Sequence, residues 1–204
     1  MQRVALSATV ANPQRTAVAY LGEGNRVVCV PGQREIEAKT ILVEADEETR
    51  AREAMLAVES FADARKVLIF VNSRRQADLA GLYRQRAFQH AAVYGHHGDL
   101  SKEQRESTEE RFKSDRRAIC IATMTLEVGI DIGDVDLVLC RDPPFSLGSF
   151  LQRIGRGCRR LQGKTRVLCV ARDRNGQLIF EALIRQASLG MPVTSAAPVR
   201  RSVL

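Results

Sequence analysis

After residue 60, short and almost unbroken apolar runs alternate with longer amphipathic stretches, and this alternation limits the fold more than any other feature of the chain. "KVLIFVN" (66–72), "AICIAT" (118–123), "DLVLC" (136–140) and "RVLCVA" (166–171), with the weaker "AAVYG" (91–95), leave no polar face, which suits parallel strands covered on both sides. The stretches 73–89, 101–114, 146–156 and 174–189 between and after them carry helical periodicity. "SKEQ" at 101–104 places Ser at a helix cap and Gln three residues on, close to a capping box. Strand then helix, repeated, predicts an α/β fold with a doubly wound, mostly parallel sheet flanked by helices and right-handed crossovers.

The first third reads differently. Asn12 caps, Pro13 starts and Gly22 stops a short helix. "RVVCV" (26–30) and "EIEAKTILVE" (35–44) read as strands, and 47–62 as a helix. The closing "MPVTSAAPVRRSVL" has two prolines and no periodicity, so 191–204 is expected to be a flexible tail or linker. Three of the five cysteines (Cys120, Cys140 and Cys169) fall inside apolar runs, and Cys29 and Cys158 complete no C-x-x-C pair. Disulfide and zinc roles are therefore not expected, and a reducing cytoplasm is the simplest setting. No run approaches the ~18 apolar residues of a membrane span, and the N-terminus carries no apolar core of a signal peptide.

The net charge of +7 is unevenly placed: residues 1–140 hold 19 Lys and Arg against 21 Asp and Glu, whereas 141–204 hold 12 against 3. The basic excess gathers around Arg153, Arg156, Arg159, Arg160, Lys164 and Arg166, a patch suited to nucleic-acid backbone or nucleotide phosphates. The "GKT" at 163–165 is no phosphate-binding loop, because Gly157 and Gly163 are separated by five residues instead of four and a strand follows where a helix is required. Gly163 is expected to make the turn into that strand. Arg153, Arg156 and Arg159 recur at i, i+3 and i+6, with Arg160 adjacent, so the first three are expected on one helix face. Like charges so stacked repel by roughly a few tenths of a kcal/mol per pair, and a bound polyphosphate reverses that sign. Asp131, Asp134 and Asp136 lack the polar spacing of a calcium loop, and His90, His96 and His97 have no partner at metal-ligand spacing, so no metal site is expected.

Taken in order, "LSATV" (6–10), "VLIFVNSRRQAD" (67–78), "HHGDLSKEQR" (96–105), "IATMTLEVGIDI" (121–132) and "QRIGRGCRR" (152–160) resemble motifs III, IV, the H-G segment, V and VI of superfamily 2 helicases. The wording is most similar to the large-helicase-related (Lhr) group, then to DEAD-box proteins, and the resemblance covers about residues 3–189. It implies the second of two RecA-like domains that share ATP and Mg²⁺ in the cleft between them, with the metal held by the first domain. Residues 1–22 then read as a remnant of the first RecA-like domain and 23–190 as the second.

By position, the resemblance implies catalytic roles at the γ-phosphate for Arg156 and Arg159, with Arg159 or Arg160 as the arginine finger. Gly129, Asp131, Gln152 and Arg153 match nucleotide-side positions. Asn72, Ser73, Gly98 and Thr123 match positions on the nucleic-acid backbone, Arg105 a position with a backbone or structural role, and Phe70 an aromatic packed beneath motif VI. Ser7, Ala8 and Thr9 match the motif that couples hydrolysis to strand separation. Cys158 stands where DEAD-box proteins have Gly, and Arg159 where the Lhr pattern has His. The chain contains no G-x-x-x-x-G-K-[ST] and no D-E-x-[DH], the groups that grip the phosphates and hold Mg²⁺, so alone it is expected to turn over no ATP. The implied partners are DNA or RNA and the first domain of the same parent chain; the rival expectation is a non-catalytic binding module.

Overall fold

The computed structural model describes residues 3–5, 12–28, 35–73, 76, 91–127, 132–157 and 164–189. The apolar runs pair into one all-parallel sheet of six strands: β1 (Ile36–Leu42), β2 (Lys66–Phe70), β3 (Ala92–His96), β4 (Ala118–Ala122), β5 (Leu137–Arg141) and β6 (Thr165–Ala171). Their spatial order is β1-β6-β5-β2-β4-β3, with the chain's earliest and third strands at the two edges. The register is set by burial. Leu68, for example, lies between Cys120 on β4 and Val138 on β5, and a slip of one residue would exchange the faces of every side chain.

Alternate residues of each strand feed two separate cores. On one face Val67, Ile69, Ile119, Ile121, Leu137, Leu139, Leu168 and Val170 pack with Ala51, Ala54, Met55 and Val58 of α2 (Glu47–Glu59). On the other, Leu68, Phe70, Cys120, Val138, Cys140 and Cys169 pack with Phe112, Phe150, Ile154, Phe180 and Leu183. These last five come from α3 (Lys102–Ser114), α4 (Leu147–Ile154) and α5 (Arg174–Ser188). Helices on both faces of a parallel sheet are the doubly wound arrangement expected from the alternation. Cys120, Cys140 and Cys169 are buried free thiols.

Local signals produce the expected ends. Asn12 accepts from Arg15 N at the start of α1 (Pro13–Leu21), and Gly22 ends it at φ +87°. The Ser101–Gln104 capping box is complete in both directions. Lys164 pairs with Glu35 at 2.6 Å and Thr165 opens β6, so the GKT letters lead into a strand. One expectation fails: Arg26, Val27 and Val28 form no strand. Val28 is 73% exposed, and a short β-branched run with no burying neighbour has nothing to hold it extended. Cys29 and Val30 lie outside the described residues, as do nearly all of the helix expected over 73–89 and the whole of the 191–204 tail.

Candidate functional site

Because all six strands run the same way, the segments after them converge on one carboxyl edge, where open α/β sheets bind ligands. Val71 to Ser73 follow β2, His97 to Asp99 follow β3, Thr123 to Glu127 follow β4, and Asp142 to Ser146 follow β5. The expected helix over 146–156 stops at Ile154, so Arg153 belongs to its last turn while Arg156 sits in the turn beyond. The two arginines therefore do not share a helical stripe, yet both reach Glu127.

Arg153 is 2% exposed. Its Nε donates to Glu127 Oε1 at 2.7 Å, its Nη1 donates to Asn72 Oδ1 at 3.0 Å, and its guanidinium carbon lies 5.3 Å from the centre of the Phe70 ring. Phe70 thus lies beneath Arg153, supplying a π face to a buried cation. Ser149 Oγ donates to the same Glu127 oxygen at 2.8 Å, and Arg156 Nη2 donates to the Glu127 carbonyl at 2.6 Å. One residue further on, Gly157 forms a parallel bridge to Val135. A Cβ there would stand 3.1 Å from Val138 Cγ2 and 3.3 Å from the Ile154 carbonyl, so any other residue would make Val138 or the turn after the helix give way slightly. The segment from Arg153 to Gly157 in this way holds both ends of the stretch from Glu127 to Val135.

A second polar group surrounds His96, which is fully buried. Its Nδ1 lies 2.9 Å from Thr125 Oγ1 and its Nε2 2.9 Å from Glu109 Oε1. Burial holds the imidazole below its ordinary pKa, against the opposing pull of Glu109. Thr123, 7% exposed, donates its N–H to the His96 carbonyl, and its hydroxyl lies 3.5 Å from that of Thr125.

Of the other expected site residues, Gln152, Ser73 and Gly98 are exposed. Ser73 Oγ accepts from Gln76 N at 3.3 Å, and Arg105 Nη1 donates to the Leu100 carbonyl at 2.5 Å. Ser7, Ala8, Thr9, Gly129, Asp131, Arg159 and Arg160 lie outside the described residues. The structure brings Asn72, Arg153 and Arg156 together around Glu127, a residue that sequence reasoning passed over. A lone Glu beside an apolar run carries no signal of burial; only its arginine partners reveal it. Asp136 accepts from the backbone N–H groups of Arg65 and Lys66 at 2.9 Å each, so it anchors the amino edge of the sheet. Among the described residues no cluster of three or more His, Cys, Asp or Glu could hold a metal ion, and no helix is long and apolar enough to cross a membrane.

This sheet and its carboxyl-edge site are those of a RecA-like helicase C-terminal domain. The fold superposes on Mycobacterium smegmatis helicase Lhr, solved bound to ssDNA and AMP-PNP, with a TM-score of 0.77 and 26% identity over 94% of this chain and 26% of that one. Saccharomyces cerevisiae Dbp5, solved bound to RNA and ADP BeF3, shares the fold with a TM-score of 0.66 and 22% identity over 87% of this chain and 46% of that one. The chain belongs to the helicase conserved C-terminal domain family, whose pattern matches residues 49–160. The ATP-dependent helicase Lhr-Core of Methanocaldococcus jannaschii is 32% identical over 196 residues, 92% of this chain and 23% of that protein. The Lhr helicase/uracil glycosylase of Escherichia coli is 45% identical over 89 residues, 44% of this chain and 6% of that protein. The chain therefore spans less than a quarter of the length of these two relatives.

Proposed function

We propose that this chain is the second motor domain of an ATP-dependent nucleic-acid helicase or translocase, acting with a first RecA-like domain in a longer parent protein. The observation that carries the reading is the grip of Arg153, Arg156 and Gly157 on both ends of the Glu127–Val135 stretch. In the motif assignment, that grip links the arginine segment on the nucleotide side to the segment that carries the nucleic-acid-contacting Thr123 and the ribose-side Gly129 and Asp131. Residues 1–22 belong to the first domain in this reading, which the absence of any buried residue in α1 supports, and 191–204 are a tail or linker.

ATP with Mg²⁺ supplies the phosphoryl-transfer free energy. Arg156, with Arg159 or Arg160 as the finger, stabilises charge on the transferring phosphoryl group, an effect worth roughly 10³ to 10⁵ in rate for such arginines. Gln152 lines the domain interface with Arg153 buried behind it on Glu127, and Gly129 and Asp131 face the ribose. Asn72, Ser73, Gly98, Arg105 and Thr123 hold one strand of DNA or RNA by its backbone, without reading sequence. Ser7, Ala8 and Thr9 couple hydrolysis to strand separation as the cleft closes and opens. The donors on this chain fit phosphate charge; the Mg²⁺-holding carboxylates and the phosphate-gripping lysine belong to the first domain, so the chain alone is inactive as an ATPase. The buried thiols of Cys120, Cys140 and Cys169 suit a cytoplasmic setting.

The test uses the full-length parent. Arg156→Ala and Arg156→Lys should each lower nucleic-acid-stimulated ATPase by at least about 10²-fold, since lysine keeps the charge but loses the planar fork. Arg159→Ala and Arg160→Ala, taken singly, identify the finger. Turnover unchanged in all four variants would remove the arginine segment from the reaction.

A further inference from the structure

At the carboxyl ends of β5 and β6 lies a cluster of opposite charges that the motif assignment does not use. Arg50 of α2 is 1% exposed, and its guanidinium grips Asp142 with Nη2 to Oδ1 at 2.5 Å and Nη1 to Oδ2 at 3.2 Å. Glu47 sits against both Arg50 and the fully buried Arg141, at 3.2 Å and 2.5 Å, and Arg172 approaches Glu47 and Asp142 at 3.4 Å and 3.6 Å. Among the described residues Asp142 is the non-glycine residue held at positive φ, +66°, and it directly precedes Pro143, a position biased toward extended backbone. A residue so placed persists only where its surroundings fix it. Here the fixing groups are the Arg50 fork and the hydrogen bond from Asp142 N to the Val170 carbonyl at 3.0 Å.

The turn that this conformation makes has a use one residue later. The Pro143 carbonyl accepts from Asn72 Nδ2 at 2.9 Å, and the other end of that amide, Oδ1, accepts from Arg153 Nη1 at 3.0 Å. Asn72 is therefore oriented from both sides, and a continuous row of contacts runs from Arg50 through Asp142, Pro143, Asn72 and Arg153 to Glu127.

We infer that Arg50 and Asp142 are positioning residues of the motor site: their paired charges set the left-handed turn after β5, so that the Pro143 carbonyl orients Asn72 and, through it, Arg153. This rests on the motor reading above, and the two fail separately in the following test. In the full-length protein, at a temperature where every variant is folded, Arg50→Met should lower the kcat of nucleic-acid-stimulated ATPase by roughly 10- to 100-fold, the scale of a small misplacement at a reacting centre, while KM for ATP moves less. Arg50→Lys, which keeps the charge and loses the fork, should fall between. Arg50→Met with Asp142→Gly should return kcat to within about threefold, because glycine takes positive φ without a partner. In the 204-residue chain itself, the Asn72 side-chain amide signal in ¹⁵N spectra should move in Arg50→Met and return in the double variant. A kcat within twofold of wild type in Arg50→Met, a double variant as slow as the single, or an unmoved Asn72 signal overturns the inference. A wild-type full-length protein without ATPase activity overturns the motor reading and leaves the Asn72 measurement to decide this one.

Discussion

The Arg153–Glu127 pair is the most exposing place to test the site's energetics. Arg153→Met keeps most of the side chain's stem, so little cavity forms, and removes one charge from a site where Glu127 is 7% exposed. Among the described residues Glu127 then keeps the Ser149 hydroxyl at 2.8 Å, and Asn72 loses the donor at 3.0 Å. Breaking a buried ion pair by removing one partner costs about 3–5 kcal/mol. The loss of Arg153 over Phe70 lies within that figure rather than on top of it, because the contacts are coupled. For a chain of 204 residues each kcal/mol moves the thermal midpoint by about 2–4 °C, so a drop on the order of 10 °C is expected by circular dichroism. Glu127→Gln alone should also destabilise, and the double variant Arg153→Met/Glu127→Gln should recover much of the loss, with a coupling energy of about 2 kcal/mol. A coupling below about 0.5 kcal/mol would mean that the two side chains do not interact, and the account of the site would fall with it.

Two further outcomes follow from buried groups. Since burial holds His96 below its ordinary value, the unfolded chain takes up the proton first, and stability rises with pH through the window below about 6.5. The thermal midpoint should therefore fall from pH 7 to pH 5.5 in the wild type and fall less in His96→Gln, and an equal slope in both would exclude His96 as the sensor. Burial pushes the Cys120 and Cys140 thiols up to about 12 and raises Cys169 as well. Iodoacetamide at pH 8 should thus leave all three unmodified in the native chain and modify them in denaturant; mass spectrometry showing equal labelling in both states would contradict their placement in the core.

Comparison of particular elements shows where sequence reasoning reaches its limit. The runs at 66–72, 118–123, 136–140 and 166–171 emerged as β2, β4, β5 and β6 within a residue or two, because strands buried on both faces need side chains that are apolar throughout. The caps at Asn12 and Ser101 were equally legible, being local hydrogen bonds between residues three apart. The described part of "RVVCV", residues 26–28, misled because β-branched composition reports a preference for extended backbone and says nothing of a neighbour to pair with. The arginines of 153–160 were legible as a phosphate-seeking group from charge and spacing, but the described pair, Arg153 and Arg156, does not lie on one continuous helix, since that helix ends at Ile154.

By itself, then, the amino-acid order determined a doubly wound parallel sheet, the identity of its core strands and the arginine-rich segment that marks its family. Those features arise from periodicity, capping and charge over distances of a few residues. Only the tertiary structure decided that Arg153 and Arg156 close on Glu127, 26 and 29 residues away, and that Arg50 reaches Asp142, 92 residues away. Such pairs leave no trace in a single sequence, because a charged residue looks the same whether it meets water or a partner. It is the convergence of parallel strand ends at one edge that removes the water and makes the partner necessary.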